Sequence, residues 1–319
     1  MTPLQSQVLS ILTERKNTFV SGEIIAEKLS VSRTAVMKAV NSLKENGYAI
    51  TSVPRLGHRL EQVPDILDAD SIRHRLLEKN VEADVVVFQT IDSTNTEGKK
   101  RADHLSRPLL LLAEEQTMGR GRQGHSFYSP RTTGLYMSLV VPVSLPLTTI
   151  AFCTQAMAVA AARTVEALGG PALQIKWVND LYLADRKVAG ILTEAVTDLE
   201  TQQATAVICG IGINLTTKDF PETIMSTAGA LGRMDRNILA AEINALFLKM
   251  INELPDTDLW LNEYRQRSLA LKRTLSFSVN GHVYHAVGKE IDDQGRLVVG
   301  FKDGNTMTLS SGEISVIPE

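Results

Sequence analysis

Residues 119–130 read GRGRQGHSFYSP, directly after the apolar run PLLLLAEEQTM, and the meaning of this glycine-arginine stretch decides what fold surrounds it. Gly119, Gly121 and Gly124 spell G-x-G-x-x-G, the pattern of a dinucleotide-binding turn. Such a turn needs a preceding strand, a helix opening at its last glycine, and an acidic residue about 20 positions on for the ribose hydroxyls. The strand is plausible. Ser126, Phe127, Tyr128, Ser129 and Pro130 then follow, leading into TTGLYMSLVVPV, which alternates and is rich in β-formers rather than helical. No Asp or Glu occurs between Glu115 and Glu166. The dinucleotide reading fails on both counts. What remains is a glycine loop whose amides approach an anion, with Arg120 and Arg122 able to make bidentate contacts, or else a solvated loop with two exposed charges.

Outward from this loop, VEADVVVFQTIDSTN (81–95) is a strand entering a polar turn, and residues 147–170 are a long helix ended by glycines. That helix is apolar nearly all round and belongs inside the fold. ALQIKWVNDLYLADRKVAGILTEAV (172–196) reads as two alternating strands across a turn, and ATAVICGIGINLT (204–216) as another. A predominantly antiparallel sheet backed by helices is the simplest arrangement. From residue 271 the chain alternates short strands with the turn signals NG, DDQG and KDGN, the pattern of a small meander or barrel with no chemistry of its own.

The N-terminal 62 residues read as three short helices and a hairpin. SQVLSILTERK forms the first, SGEIIAEKL starts at a capping Ser21, and SRTAVMKAVNSLKENG starts at a capping Ser32 and stops at Gly47. Two helices across the short turn SV, followed by YAITSVPRLGHRLEQV, match a winged helix-turn-helix. Val36, Val40 and Leu43 share the inner face, leaving Ser32, Arg33, Thr34, Lys38 and Asn41 outward for phosphates and base edges. Arg55 and Arg59 on the wing add backbone contacts. A helical packing module shares the inner-face pattern, but the polar, net-basic outer face favours DNA. Residues 63–70, VPDILDAD, look like a linker.

The 319 residues carry a net charge of −3, unevenly placed: residues 1–62 hold eight Lys/Arg against five Glu, a surplus of +3, and the rest sums to −6. A small basic head on an acidic body implies different partners for the two. No segment has the roughly 20 uninterrupted apolar residues of a membrane span, no secretion signal opens the chain, and Cys153 and Cys209 stand far apart, so a cytoplasmic chain with reduced thiols and no metal site is expected.

Four polar clusters interrupt the apolar strands of the middle region: DSTN (92–95), EEQTMGRGRQG (114–124), KWVNDLYLADRKVAGIL (176–192) and GIGIN (210–214). Taken singly, DSTN is also a fair helix cap and GIGIN a fair bulged strand. Together they can converge on one small polar ligand. No Ser-His-Asp or Cys-His set offers a nucleophile, so chemistry by positioning and charge neutralisation fits best.

In order and spacing, GRGRQG, KWVNDLYL with RKVAGIL, and GIGIN behind a leading winged helix resemble the bifunctional biotin protein ligases of bacteria that double as biotin operon repressors. The resemblance covers the whole chain. It implies an α+β multidomain fold: a winged helix-turn-helix over 1–64, a ligase domain with a central mixed or antiparallel sheet and helices over 65–270, and a small SH3-like β-barrel over 271–319. ATP and biotin are the implied substrates, with Mg²⁺ expected. The biotin carboxyl carrier protein is the acceptor, operator DNA is a further partner, and a homodimer forms when the adenylate is bound. Arg120, Arg122 and Lys187 are the implied cations around the reacting phosphorus. Ser93, Thr94, Asn95 and Gln116 bind biotin together with Arg120, Gly121 and Arg122, while Gly190, Gly210 and Gly212 admit its flat ring. Phe127 covers the ligand or is an ordinary core aromatic. Asp180 orients or deprotonates the acceptor lysine, or is a structural turn residue, and Lys176 lends support.

The chain departs from that family at Val178, where the usual Lys-Trp-Pro-Asn-Asp motif has proline, and at Gln123, His125 and Ser126, where relatives are often more basic. Altered turn rigidity with retained activity, and altered adenylate retention or dimer surface, are the expected results. A repressor that senses the adenylate without ligating, and a ligase for lipoate, are the alternative readings.

Overall fold

Thr2 opens the first helix earlier than the apolar spacing implied. Its side chain accepts from the Gln5 N–H at 3.3 Å while Gln5 Oε1 accepts from the Thr2 N–H at 2.7 Å, a reciprocal cap that starts α1 (Pro3–Glu14) at a proline with no N–H to satisfy. Ser21 caps α2 (Gly22–Lys28), and the Ser32 hydroxyl accepts from the Ala35 N–H at 3.1 Å to cap α3 (Arg33–Glu45). The expected stop at Gly47 lies outside the described residues, which in this computed structural model are 2–15, 17–45, 48–62, 65–103, 105–198, 200–258 and 260–317. A hairpin of β1 (Ala49–Val53) and β2 (Gly57–Gln62) follows. Gly57 is obligatory there: its φ is +109° and a Cβ would overlap Val20 O. Val8, Leu12, Ile25, Val36, Val40, Leu43 and Leu60 fill the core.

These elements form one of two units into which the chain divides, Met1–Ile66 and Leu67–Glu319. The linker expectation needs correction. Val63 and Pro64 lie outside the described residues, but Leu67 is already buried, with its N–H donated to Glu114 Oε1 at 2.7 Å. Asp68 then caps α4 (Ala69–Glu78). An apolar residue with a core slot and an acid at an N-cap fold in where composition alone suggests a tether.

The second unit is built on a seven-stranded sheet in the order β3-β4-β5-β9-β8-β7-β6. Its strands are β3 (Asp84–Phe88), β4 (Leu109–Ala113), β5 (Gly134–Pro146), β6 (Gln174–Lys176), β7 (Asp180–Leu183), β8 (Arg186–Asp198) and β9 (Gln203–Asn214). Only β3 and β4 run parallel. β4 shows why four consecutive leucines form a strand. Leu109 and Leu111 pack with Val140 and Ile208 beside α5 (Thr94–Arg101), whereas Leu110 and Leu112 join the core on the other face. That larger core takes in α6 (Ile150–Ala167), buried on nearly every side as expected, and α8 (Arg236–Asn252).

Residues 172–196 form three strands rather than two. The extra turn at 177–179 is held by tertiary contacts: the Trp177 indole N–H donates to Gly295 O at 3.2 Å, and the Asn179 amide donates to Ile191 O at 2.9 Å. Trp and Val are strand formers, so nothing local marks the break. After α7 (Glu222–Met225) and α9 (Leu261–Arg267), a five-stranded antiparallel sheet closes the chain, ordered β13-β12-β11-β10-β14. It comprises β10 (Thr274–Val279), β11 (His282–Ile291), β12 (Leu297–Gly300), β13 (Thr306–Leu309) and β14 (Ile314–Val316). Its Leu275, Phe277, Leu297 and Ile314 share one core with α6 and α8. Among the described residues, no helix is long and apolar enough to cross a membrane.

Candidate functional site

The glycine-arginine stretch is a tight hairpin. The Phe127 N–H donates to Gly119 O at 2.8 Å and the Gly121 N–H to His125 O at 2.7 Å, with the chain turning through Gln123 at φ 52° and Gly124 at φ 81°. Gly119 has no room for a side chain, since a Cβ would overlap Phe127 O. No α-helix opens at Gly124, in keeping with the failed dinucleotide pattern. The hairpin sets two guanidinium groups over a cleft. Arg120 Nη1 lies 3.4 Å from Glu194 Oε1, and Arg122 Nη1 donates to Asn179 Oδ1 at 3.3 Å and to Gly312 O at 3.2 Å.

The bed of the cleft follows from strand register. Tyr136, Gly212, Gly190 and Asp180 stand opposite one another across β5, β9, β8 and β7; the next row is Ser138, Gly210 and Leu192. Because directly opposed residues face the same side, the glycines leave a bare ledge between Tyr136 and Asp180. Phe127 lies on it, so close that a Cβ at Gly212 would overlap its ring, and it meets Tyr136 edge-on with centroids 6.4 Å apart. At Gly210 a Cβ would overlap Asn95 Oδ1. The clearance expected for a flat ligand ring is thus taken at these two positions by side chains of the protein itself.

The polar end of the cleft sits at the N-terminus of α5, where Ser93 is the capping residue and the N–H groups of the first turn carry partial positive charge. The Thr94 N–H and hydroxyl donate to Gln116 Oε1 at 2.9 and 3.1 Å, and Gln116 Nε2 donates to Ser129 Oγ at 2.9 Å. Ser138 Oγ is 2.7 Å from Thr94 Oγ1 and 2.6 Å from Asn95 Oδ1. Asn95 Nδ2 donates to Leu192 O at 3.0 Å and to Glu194 Oε2 at 3.1 Å. At the other end Lys187 Nζ pairs with Asp180 Oδ1 at 2.7 Å. Lys176 stands nearby over the Tyr182 ring at 5.7 Å; burial holds its pKa below the usual lysine value, with Asp180 opposing and Lys187 reinforcing the shift.

One cleft therefore brings together all twelve ligand-site candidates from Ser93 to Gly212. Sequence reasoning missed part of it. Gly312, Glu313, Ile314 and Ser315 of the tail line the same cleft, and Glu313 Oε1 lies 3.6 Å from His125 Nε2. The tail, which shows no chemistry of its own in the sequence, nonetheless contributes a wall of the cleft. Its turn residues give no local sign of this, because only the shared core brings them to the hairpin. Among the described residues, no group of three or more His, Cys, Asp or Glu side chains could hold a metal ion.

Ser32, which caps α3, and Arg33, Thr34, Lys38 and Asn41 on it lie elsewhere, in the first unit, all exposed, with Val36, Val40 and Leu43 buried on the opposite face. Arg55 is exposed at the hairpin tip with φ 67°. Arg59 pairs with Glu61 at 2.6 Å and lies 4.6 Å over the Phe19 ring, so its charge has partners inside the unit.

Two family profiles match this chain: the biotin/lipoate A/B protein ligase family over residues 87–214 and an HTH domain over 4–59. A protein named bifunctional ligase/repressor BirA from Salmonella typhimurium is 30% identical, the alignment covering 99% of this chain and 98% of that protein. The Bacillus subtilis protein of the same name is also 30% identical, over 94% and 95% of the two chains. Among solved structures, a biotin protein ligase from Aquifex aeolicus in complex with biotin and ATP superposes with a TM-score of 0.60 at 22% identity, covering 74% of this chain and 99% of that one. That last likeness is one of fold.

Proposed function

The chain belongs to the family of bifunctional biotin ligases and repressors, and on that premise we propose that its cleft joins biotin to ATP and hands the biotinyl group to a lysine of a biotin carboxyl carrier protein. The observation that carries this reading is the convergence of Arg120, Arg122 and Lys187 with the amide and hydroxyl cluster of Thr94, Asn95 and Gln116 in one cleft. A biotin carboxylate oxygen attacks the α-phosphorus of ATP, and the bond to the β-phosphate breaks to release pyrophosphate. The two anions repel each other, so fixed cations at the developing pentavalent phosphorus lower the barrier most. Arg120, Arg122 and Lys187 fill that role. Ser93, Thr94, Asn95 and Gln116 hold the ureido end, with Gly121 and Gly190 keeping the walls low and Gly210 and Gly212 giving Asn95 and Phe127 the room to line the biotin site.

In the second half-reaction the acceptor lysine attacks the acyl carbon and AMP leaves. The attacking amine must lose a proton, and Asp180 accepts it once Lys187 has turned from the carboxylate to the phosphate. Mg²⁺ bound with the nucleotide would neutralise phosphate charge; among the described residues Asp180 and Glu313 are the carboxylates lining the cleft, too few for a cage of their own.

The same chain acts as a repressor of biotin-synthesis genes in the cytoplasm, reading operator DNA through Ser32, Arg33, Thr34, Lys38 and Asn41. Functionally the chain divides into a DNA-binding part (1–64), a catalytic part (65–270) and a C-terminal β part (271–319). Repression works as an adenylate-bound homodimer paired through the sheet. β7 covers β8 only over Arg186–Gly190, and Thr193–Asp198 offer an outer edge with no strand partner among the described residues.

The test is a single-turnover assay with ATP, Mg²⁺ and either biotin or lipoate, followed by addition of the carrier domain, with Arg122→Ala alongside. Biotinyl-5′-AMP that forms and passes to the carrier lysine, and is lost in the variant, supports the ligase. An adenylate that forms and never transfers leaves only a sensor-repressor, and one that forms with lipoate alone reassigns the substrate.

A further inference from the structure

Glu194 has contacts that none of the roles above uses. It lies on β8 with its side chain 18% exposed, accepting from Asn95 Nδ2 through Oε2 at 3.1 Å and facing Arg120 Nη1 through Oε1 at 3.4 Å. One carboxylate thus bridges a buried amide at the biotin end of the cleft and a guanidinium of the hairpin. The two partners are held very differently.

Asn95 has no latitude. Its amide also donates to Leu192 O, its Oδ1 accepts from Ser138, and its carboxamide fills the clearance over Gly210. Its orientation fixes Glu194 Oε2 in turn. Arg120 has 47% of its side chain exposed and meets Glu194 at the long end of the hydrogen-bonding range, the geometry of a weak, half-solvated ion pair. A phosphate offers a guanidinium a stronger, bidentate partner. Glu194 cannot retreat when one arrives, because Asn95 retains its other oxygen. A fixed carboxylate and a ligand phosphate then draw on the same cation.

We propose that Glu194 is a positioning residue whose anchored carboxylate competes with the ligand phosphate for Arg120 and so limits how long the adenylate is held. The inference rests on the ligase reading above. Glu194 touches no ligand in this scheme and acts only through Arg120. Glu194→Gln keeps an acceptor for Asn95 while removing the charge that competes for Arg120.

The experiment uses full-length wild type, Glu194→Gln, Arg120→Ala and the double variant, each loaded with labelled biotinyl-5′-AMP and chased with unlabelled adenylate. Dissociation rate, biotin KM and melting temperature are read for each. Release from Glu194→Gln is expected to slow roughly 3- to 10-fold, with biotin KM within about two-fold of wild type, and the substitution is expected to change nothing in the Arg120→Ala background. Should Glu194→Gln melt early, Glu194→Asp, which withdraws the carboxylate by one methylene, must slow release in the same sense. Unchanged or faster release, or equal slowing without Arg120, overturns the inference while leaving the ligase intact. Failure of the wild type to form any biotinyl-5′-AMP overturns the ligase reading and the inference together.

Discussion

Lys187 Nζ lies 2.7 Å from Asp180 Oδ1 across β7 and β8, so the cation assigned to the phosphate and the carboxylate assigned to the acceptor lysine neutralise each other. Their substitutions should separate the two half-reactions. Lys187→Met is expected to slow adenylation by roughly 10²- to 10³-fold, the usual loss of one preorganised charge partner. Asp180→Asn is expected to keep adenylation within about ten-fold and to slow transfer to the carrier by roughly 10²-fold or more. Quenched single-turnover traces of adenylate and biotinylated carrier decide it, and loss of both steps in Asp180→Asn would make that residue structural.

Gly210→Ala should damage the biotin end without touching a cation. The new methyl would overlap Asn95 Oδ1 and pull Asn95 from Ser138 and Leu192. Biotin KM should rise while the ATP dependence stays near wild type, with a stability loss of roughly 1–3 kcal/mol from overpacking. Steady-state kinetics with varied biotin and urea unfolding provide the readout.

Arg236→Met should unfold the second unit early. Arg236 and Glu114 form a fully buried ion pair at 2.7 Å, and Glu114 also holds the Leu67 N–H. Removing the guanidinium strands a buried carboxylate, at a cost of roughly 3–5 kcal/mol. The transition of the second unit in urea should move, and restoring a cation with Arg236→Lys should recover part of the loss.

His58 should make the first unit acid-sensitive. Its Nδ1 is 2.9 Å from Ser52 Oγ, which also accepts from Lys44. Burial, and then the Lys44 charge, hold its pKa below the ordinary 6.5. The unfolded chain therefore binds this proton at higher pH than the folded one, and the stability present above 6.5 is lost as pH falls through the lowered folded value. Melting of the unit between neutral pH and pH 5 should show the decline, and His58→Gln should flatten it.

Lys38→Ala should weaken DNA binding across all sequences and lower the salt slope by about one. Asn41→Ala should instead relax preference at one base pair, by roughly 1–3 kcal/mol. Titrations against selected and random duplexes at several salt concentrations distinguish the two.

Much of this protein was legible along the chain, because its signals are local. Ser21 and Ser32 cap helices that the residues themselves announce, the alternating run after Pro130 rules out a helix at Gly124, and the polar clusters at 92–95, 114–124, 176–192 and 210–214 mark strand ends. Their convergence was legible in outline from their polar side chains, and in its particulars only as a resemblance of order and spacing.

Tertiary structure alone decided the rest. The Trp177–Asn179 turn depends on Gly295 and Ile191, the placing of Gly312–Ser315 beside Arg122 depends on a core shared with α6, and Phe127 fills the space over Gly212 because register sets two glycines side by side. Glu194 carries no sequence signal at all, being one acid on a long strand. The physical reason is the same in each case. Capping and alternation are interactions within a few residues, whereas a ledge, a wall or a shared charge forms between segments 12 to 190 residues apart, whose distance is set only when the sheet pairs and the core closes.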